Sequence, residues 1–444
     1  MTAIPFLPVH SPTRIVAWRN GVTIEQQKFL RDVHALAARL PTRTHVLNHC
    51  DDRYHFLVGL VAALMRGQVS LFPSSRAPQV LEQLANDYPG VYCLADRADE
   101  AAPMEVFLLD ETSGDASAMT LAMPAFPADQ PVAIAFTSGS TGVPERYPKT
   151  WGGFVREARV AGRALGLKVG QGAALVATVP PQHMYGFIAS IMLPTQFGYV
   201  LDAARPFYPE DIRAALAAHK QPAILVTTPV HIRACVQEGT RLPALDFILS
   251  STAPLDAAMA AEAERLFDTR VLEFYGSTET GAIAARRQAE TRVWRTFDDI
   301  AVGLGERGFT VTAPYFPEPM VLTDSVEVKN PREFVLFGRD SDLIKIAGKR
   351  ASLADLNARL LAIEGVCDGA FFAPDPVGTR EPRLTAFVVA PGRSEAEILQ
   401  ALRARIDPAF LPRPLRLVAS LPRNATGKLP RANLMRLLET EVSE

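Results

Sequence analysis

A chain of 444 residues exceeds what one hydrophobic core ordinarily supports, so two or three domains are expected. Its 48% hydrophobic and 21% charged residues describe a globular protein, and a net charge of -2 gives no electrostatic reason to expect nucleic acid or an anionic membrane as partner. Cys50, Cys93, Cys235 and Cys367 stand far apart with no Cys-x-x-Cys pair, which argues against a disulfide framework or a zinc site. Met1 to Ser11 lacks the cationic-then-apolar pattern of a secretory leader. The apolar stretch from Phe56 to Met65 is too short to span a bilayer, so a cytoplasmic protein is expected.

In chain order, Asp51 and Asp52 open a helix on which Phe56, Leu57, Leu60, Val61 and Leu64 form an apolar stripe. Gly67 ends that helix, and Val69 to Phe72 reads as a strand. The same order of helix, glycine and strand repeats through the first third, as in an α/β domain. His45, His49 and His55 are not spaced as metal ligands and read as structural histidines. A buried strand, Val132 to Phe136, then runs into Thr137-Ser138-Gly139-Ser140-Thr141-Gly142-Val143-Pro144. Its glycines let backbone amides approach a ligand closely and its hydroxyls add donors, which suits a polyphosphate. It is not a P-loop, because no lysine follows either glycine.

Trp151 to Leu165 reads as a helix, and the strand Ala173 to Thr178 runs into Pro180-Pro181-Gln182-His183-Met184-Tyr185-Gly186-Phe187. That places His183 just past a strand end, where α/β sheets bind ligands. Ala223 to Pro229 and Phe247 to Leu255 are further strands with small residues at their exits, the pattern of parallel units whose exits converge on one face. The strand Val271 to Phe274 is followed by Tyr275-Gly276-Ser277-Thr278-Glu279-Thr280-Gly281, which offers a stacking ring, hydroxyl donors and, in Glu279, a candidate magnesium ligand. From Gly338 to Arg350 the chain is dense in charge. The helix Leu353 to Leu361, strands Gly369 to Ala373 and Leu384 to Val389, and a helix from Ser394 then predict a compact terminal α/β domain. Near its end Lys428 sits in the loop Leu421 to Arg431.

Four segments in this order resemble the adenylate-forming superfamily of acyl- and aryl-CoA synthetases, peptide-synthetase adenylation domains and luciferases. They are Thr-Ser-Gly-Ser-Thr-Gly-x-Pro from Thr137, Tyr-Gly-Ser-Thr-Glu from Tyr275, Gly-Arg-x-x-x-x-Ile-Lys-x-x-Gly-x-Arg from Gly338 and Pro-Arg-x-x-x-Gly-Lys from Pro422. His183, the segment Ser251 to Leu255, and Thr323-Asp324 support the match. The resemblance implies a large N-terminal ATP- and acid-binding domain of parallel-rich sheets, residues 1–338, and a small mobile α/β domain, residues 339–444. It also implies an ATP- and magnesium-dependent acid–thiol ligase. A carboxylic acid becomes acyl-AMP with release of pyrophosphate, and a thiol of coenzyme A or carrier-protein phosphopantetheine then takes the acyl group.

By the same resemblance Thr137, Ser138, Gly139, Ser140, Thr141 and Gly142 would hold the β- and γ-phosphates. Tyr275, Gly276 and Ser277 would face the nucleotide, with Ser251, Thr252, Ala253 and Pro254 beside adenine. Thr278 would contact the α-phosphate, Glu279 and Thr141 the magnesium, and Asp324 and Arg339 the ribose. Lys428 would bridge the carboxylate and α-phosphate oxygens. His183, Tyr185, Gly186 and Ser251 would line the acyl pocket. Lys345, Gly348 and Arg350 would line the thiol tunnel after rotation of the small domain.

Departures from the family pattern are local. Where a lysine usually follows Thr-Gly-x-Pro, Glu145 stands, with Arg146 and Lys149 the cations available to compensate. An anion there costs about 2 kcal/mol at a separation of roughly 8 Å and an effective dielectric of about 20. The hinge position, commonly Asp, is Ser341, and the segment between Glu279 and Asp324 is short. Ser251 and Thr252, where the family often has glycines, point to a short or aromatic acid. No carrier site follows Lys428, so a free-standing ligase with an external acceptor is expected, possible acceptors including a separate acyl carrier protein. The rival expectation, motivated by Glu145, is a non-catalytic adenylate- or acyl-binding relative.

Overall fold

The structure, a computed structural model, describes residues 3–8, 11–73, 75–98, 102–109, 121–137, 145–306, 308–316, 318–339, 343–346, 349–374, 384–424 and 427–440. Two large sheets carry the first three quarters of the chain. In the smaller one, His45–Asn48 pairs in parallel with both Val69–Phe72 and Tyr92–Ala95, and Val69–Phe72 pairs in parallel with Pro131–Thr137. The larger sheet has a parallel centre, in which Ala174–Ala177 lies between Val200–Asp202 and Ala223–Thr227, followed by Leu245–Ser250 and Arg270–Ser277. These central strands are buried on both faces, which accounts for their unbroken apolar runs.

The helix Arg53–Met65 shows why. Its apolar residues are not confined to a stripe: almost the whole surface is buried, because it packs on His45–Asn48 and Val69–Phe72 of one sheet and Val200–Asp202 of the other. Asp52 caps it by accepting from the His55 amide at 3.0 Å. Trp151–Ala164 is a helix as its sequence predicts, capped by Thr150.

Two elements differ from the expectation. Glu145–Thr150 is a strand, antiparallel to Pro131–Thr137 with Glu145 opposite Thr137. The phosphate-type loop is therefore the connection of a hairpin. This strand lies at the sheet edge, where a Pro such as Pro148 and charged residues are tolerated. The strand expected over Val271 to Phe274 extends through Ser277 and turns back at Thr278 to Thr280 into the antiparallel strand Gly281–Arg286.

Beyond residue 343 a separate small unit begins. Leu343–Ile346 pairs with Lys349–Ser352, and Asp368–Phe372, Thr385–Val389 and Leu415–Leu417 form a three-stranded sheet. Alternation along Asp368–Phe372 sends Phe371 to a core with Leu356, Leu360 and Ile398, and sends Ala370 and Phe372 to the opposite core with Leu421 and Leu434. The architecture is thus α/β, with a large part built on parallel-rich sheets and a small C-terminal part. No described helix is long and apolar enough to cross a membrane. Cys50, Cys93 and Cys235 are buried and Cys367 is exposed, all as free thiols.

Candidate active site

The exits of the parallel strands meet where their hydroxyl and ring side chains tie neighbouring exits together. Tyr185 directs its phenol at the Leu249 carbonyl (2.7 Å) and the Thr227 carbonyl (3.1 Å), so one ring spans two strand ends. Ser251 Oγ donates to the Phe274 carbonyl at 3.0 Å, joining the next pair. Thr178 and Thr227 share a hydrogen bond of 2.9 Å between hydroxyls, and His231 Nδ1 lies 2.9 Å from Thr228 Oγ1. Arg53, fully buried, donates through Nη2 to the carbonyls of Ala177 (2.8 Å) and Val179 (3.0 Å), just ahead of Pro180.

His183 immediately precedes the short helix Met184–Phe187 on that exit, with no capping bond from its side chain. Burial, then the nearby charges of Lys428 and Arg76, lower its pKa to about 4, so the imidazole is neutral at pH 7. Gly186 owes its identity to packing: a Cβ there would stand 2.0 Å from the Pro180 carbonyl oxygen. Thr252 has φ +82°, a conformation in which a β-branched residue is strained by roughly 1–3 kcal/mol. Such strain persists only where its surroundings impose it. Ala253 and Pro254 follow it, half-buried and exposed.

Tyr275 is 9% exposed, its ring 5.5 Å from Trp294 and 5.3 Å, edge-on, from Phe334, so its orientation is set by the core. Gly276 is required by close approach, because a Cβ would lie 2.1 Å from the Gly281 carbonyl oxygen. The turn Thr278 to Thr280 is closed by Ser277 and Thr280: the Ser277 amide donates to Thr280 Oγ1 (3.2 Å) and the Thr280 amide to Ser277 Oγ (3.2 Å). The Ser277 and Ser251 hydroxyls, both expected at the nucleotide, are thus engaged within the protein. Among the described residues the Glu279 carboxylate has no ion-pair partner, and its charge is felt by both Tyr147 and Lys149. A hard oxygen donor of this kind fits magnesium, which keeps most of its waters and takes one or two carboxylates.

Along Glu145–Thr150, Glu145, Tyr147 and Lys149 alternate onto one face. Tyr147 donates to Glu145, and burial, that bond and the Glu279 charge raise its pKa. Lys149 donates to the Glu279 carbonyl at 2.8 Å. Arg146 points the other way, to Asp87 at 2.9 Å and over the Tyr88 ring. Both cations expected to compensate for Glu145 are therefore engaged elsewhere. Burial raises the Glu157 pKa to about 7 against the pull of Lys149, and Glu157 accepts from the Ala282 amide at 2.7 Å. Its contact with Gly281 is close, and Gly281 has φ +71°. Gly281→Ala is expected to destabilise the protein by about 2 kcal/mol, from left-handed strain and a Cβ driven into the carboxylate. Equal urea midpoints for the variant and the wild type would refute this.

Asp324 and Arg339 are direct cross-strand partners, at the ends of Asp324–Asn330 and Glu333–Arg339. Lys428 comes from the small unit; it is exposed, and its charge is one of those that lower the pKa of the buried His183. Its loop is held by the Asn424 side chain, which accepts from the Lys428 amide at 2.9 Å, and by Arg423, which donates to the Gly427 carbonyl at 2.8 Å. Gly427, at φ +75°, seats the loop against Thr228 and Val230 of the large part. Arg423 also pairs with Asp368 through two bonds of 2.8 and 2.7 Å, and Gln237 reaches the Val366 carbonyl at 3.4 Å across the same contact. Ser138, Gly139, Ser140, Thr141, Gly142, Ser341 and Gly348 lie outside the described residues, as do the side chains of Arg339, Lys345 and Arg350.

Sequence reasoning missed Arg53, Tyr147 and Glu157. Glu157 had a legible signal, since it falls on the same helix face as the apolar Phe154, Ala158 and Ala161.

The profile of the AMP-binding enzyme family matches residues 13–303. A 4-coumarate–CoA ligase from Halorhodospira halophila is 31% identical over 310 residues, 66% of this chain and 73% of that protein. A 3,4-dihydroxybenzoate–[aryl-carrier protein] ligase from Bacillus anthracis is 22% identical over 316 residues, 68% of this chain and 73% of that protein. The fold matches o-succinylbenzoate CoA synthetase from Bacillus subtilis, in complex with its acyl-adenylate intermediate, with a TM-score of 0.80 at 18% identity over 98% of each chain. With the motifs in order and the strand exits assembled, the chain is a ligase of the AMP-binding enzyme family.

Proposed function

We propose that the protein activates a carboxylic acid, with aryl or short acyl acids favoured, and passes it to a phosphopantetheine thiol. The observation that carries this is the seating of the Lys428 loop at the strand exits, where Gly427 lies against Thr228 and Val230. In the first step an oxygen of the acid forms a bond to the α-phosphorus of ATP, and the bond to the β-bridging oxygen breaks to release pyrophosphate. Lys428 supplies a cation between the carboxylate and α-phosphate oxygens, where charge is brought together and redistributed. Neutral His183 presents an uncharged wall to the acid, so that it does not compete with Lys428 for the carboxylate. Magnesium, held by Glu279, would supply charge neutralisation on the phosphates. In the second step the thiol sulfur attacks the acyl carbon, the thiol proton leaves, and AMP departs.

The assignment extends to boundaries and roles. Residues 1–338 form the ATP- and acid-binding domain and 339–444 the mobile domain, which exchanges Lys428 for the Lys345 to Arg350 segment between steps. The seating of Gly427, the neighbour of Lys428, against Thr228 and Val230 supports a pose suited to the first step. Coenzyme A is the leading acceptor, supported by the names of the 4-coumarate–CoA ligases among the relatives; the relative named for an aryl-carrier protein keeps the carrier thiol as the other. The strained Thr252 and the aryl acids in those names support a compact acid. A cytoplasmic location fits this chemistry. The test is ATP–pyrophosphate exchange over aryl, short and long acyl acids, followed by thioester formation with coenzyme A or a phosphopantetheinylated carrier. Fast exchange with an aryl or short acid is expected. ATP binding without exchange for any acid would favour the non-catalytic reading.

A further inference from the structure

The Thr278 to Thr280 turn is gripped from outside by two side chains that no motif includes. From the edge strand Glu145–Thr150, Lys149 Nζ donates to the Glu279 carbonyl at 2.8 Å. From the helix Trp151–Ala164, Glu157 accepts from the Ala282 amide at 2.7 Å and stands against Gly281, where a Cβ would meet its carboxylate oxygen at 2.4 Å. Glu157 is 8% exposed, deep for a carboxylate. Both elements follow the phosphate-type segment in sequence, so the chain that leaves it also clamps the Thr278 to Thr280 turn. We propose that Lys149 and Glu157 are positioning residues that hold Glu279 for magnesium-bound ATP, an inference that rests on the ligase reading above.

The geometry separates their tasks. Lys149 engages the main chain of Glu279, which leaves the carboxylate of that residue available to a ligand. Glu157 fixes the first residues of the returning strand, Gly281 and Ala282, and thereby the far side of the turn. The internal bonds between Ser277 and Thr280 close the turn but do not aim it. Aim comes from elements outside it, and these two contacts supply it at Glu279 and at Gly281 and Ala282. In this chain the first cation after Arg146 is therefore a brace behind the site, while Glu145 occupies the loop exit. Groups that orient a metal-holding carboxylate ordinarily contribute about 10- to 100-fold in metal affinity.

The test is calorimetric titration of the full-length protein with ATP, in excess magnesium and again in excess chelator, without any acid. Lys149→Met is expected to weaken magnesium–ATP binding about tenfold while changing chelated-ATP binding less than about twofold. Glu157→Gln keeps an acceptor for the Ala282 amide and should lose about threefold or less, whereas Glu157→Leu should match Lys149→Met. The double variant Lys149→Met with Glu157→Leu leaves no unpaired buried charge, so its thermal midpoint should recover towards the wild type while its magnesium–ATP affinity stays low. A double variant that binds magnesium–ATP like the wild type overturns the inference. Equal losses with and without magnesium overturn it too, because Lys149 would then be a phosphate contact. Absence of magnesium-enhanced binding in the wild type overturns the ligase reading, and this inference with it.

Discussion

Lys428→Ala lowers acid-dependent ATP–pyrophosphate exchange by at least about a hundredfold, equivalent to roughly 2.7 kcal/mol of transition-state stabilisation. The size follows from where the ammonium sits. Its loop is seated by Gly427 against Thr228 and Val230, and this exposed residue's charge is among those that lower the pKa of the buried His183 imidazole, so the ammonium lies within electrostatic reach of the strand exits. Two anions, a carboxylate and a phosphate, must approach each other in the adenylation step, and the cation offsets their repulsion. Arg76 also acts on His183 electrostatically, yet it ranks below Lys428 in that effect. The loss should fall on the turnover of exchange, with the apparent ATP affinity changed less than about threefold, because the proposed nucleotide contacts lie mainly on the large part. Removing Lys428 also removes one cause of the lowered His183 pKa, which therefore moves up towards the ordinary value while burial still holds it below. Unchanged exchange in Lys428→Ala would remove this residue from the chemistry.

Much of the fold was legible because the parallel strands are apolar runs ended by small residues, and burial on both faces requires that composition. The helix Leu353–Leu361 has the bounds its sequence predicts, set by the Ser352 cap, which accepts from the Ala354 amide at 3.1 Å. The strand Glu145–Thr150 was illegible for an equally physical reason. An edge strand is not obliged to be apolar, and the composition Glu, Arg, Tyr, Pro, Lys, Thr reads as a loop. Tyr275 to Ser277 reads as a strand exit because nothing local announces that Gly281–Arg286 returns to pair with it. In the candidate site, short motifs with fixed spacing singled out Tyr275, Glu279, Asp324 and Lys428 as candidates. The residues behind them escaped, since their partners are remote in sequence: Lys149 meets Glu279 130 positions away, and Arg53 meets Ala177 124 away. A lone lysine or arginine is ordinarily solvated, and only the fold shows which one is not.

Arg53 carries the second large effect, and here stability and function are read together. Arg53→Met is expected to destabilise the large part by about 3 kcal/mol, more than a hundredfold in the folding equilibrium. Two opposing terms decide the sign. Burial lowers the guanidinium pKa to about 9, a measure of the cost of keeping this charge from water, and methionine removes that cost. Against it, methionine strips the Ala177 and Val179 carbonyls of their guanidinium donor and leaves Ser190, its other partner, without that contact. Buried Asp202 also loses a nearby positive charge. Each orphaned buried acceptor costs about 1–3 kcal/mol, so the losses outweigh the relief. Arg53→Lys keeps the charge but cannot span both carbonyls and should fall between the two. Because Val179 leads directly into the Pro180 to His183 segment, Arg53→Met should also lower exchange turnover at temperatures where the variant remains folded. Urea unfolding followed by tryptophan fluorescence reads the first effect, since Trp151 and Trp294 are buried in the large part. A loss below about 1 kcal/mol would show that water or a backbone shift satisfies the two carbonyls, and that Arg53 is not what holds the exit carrying His183.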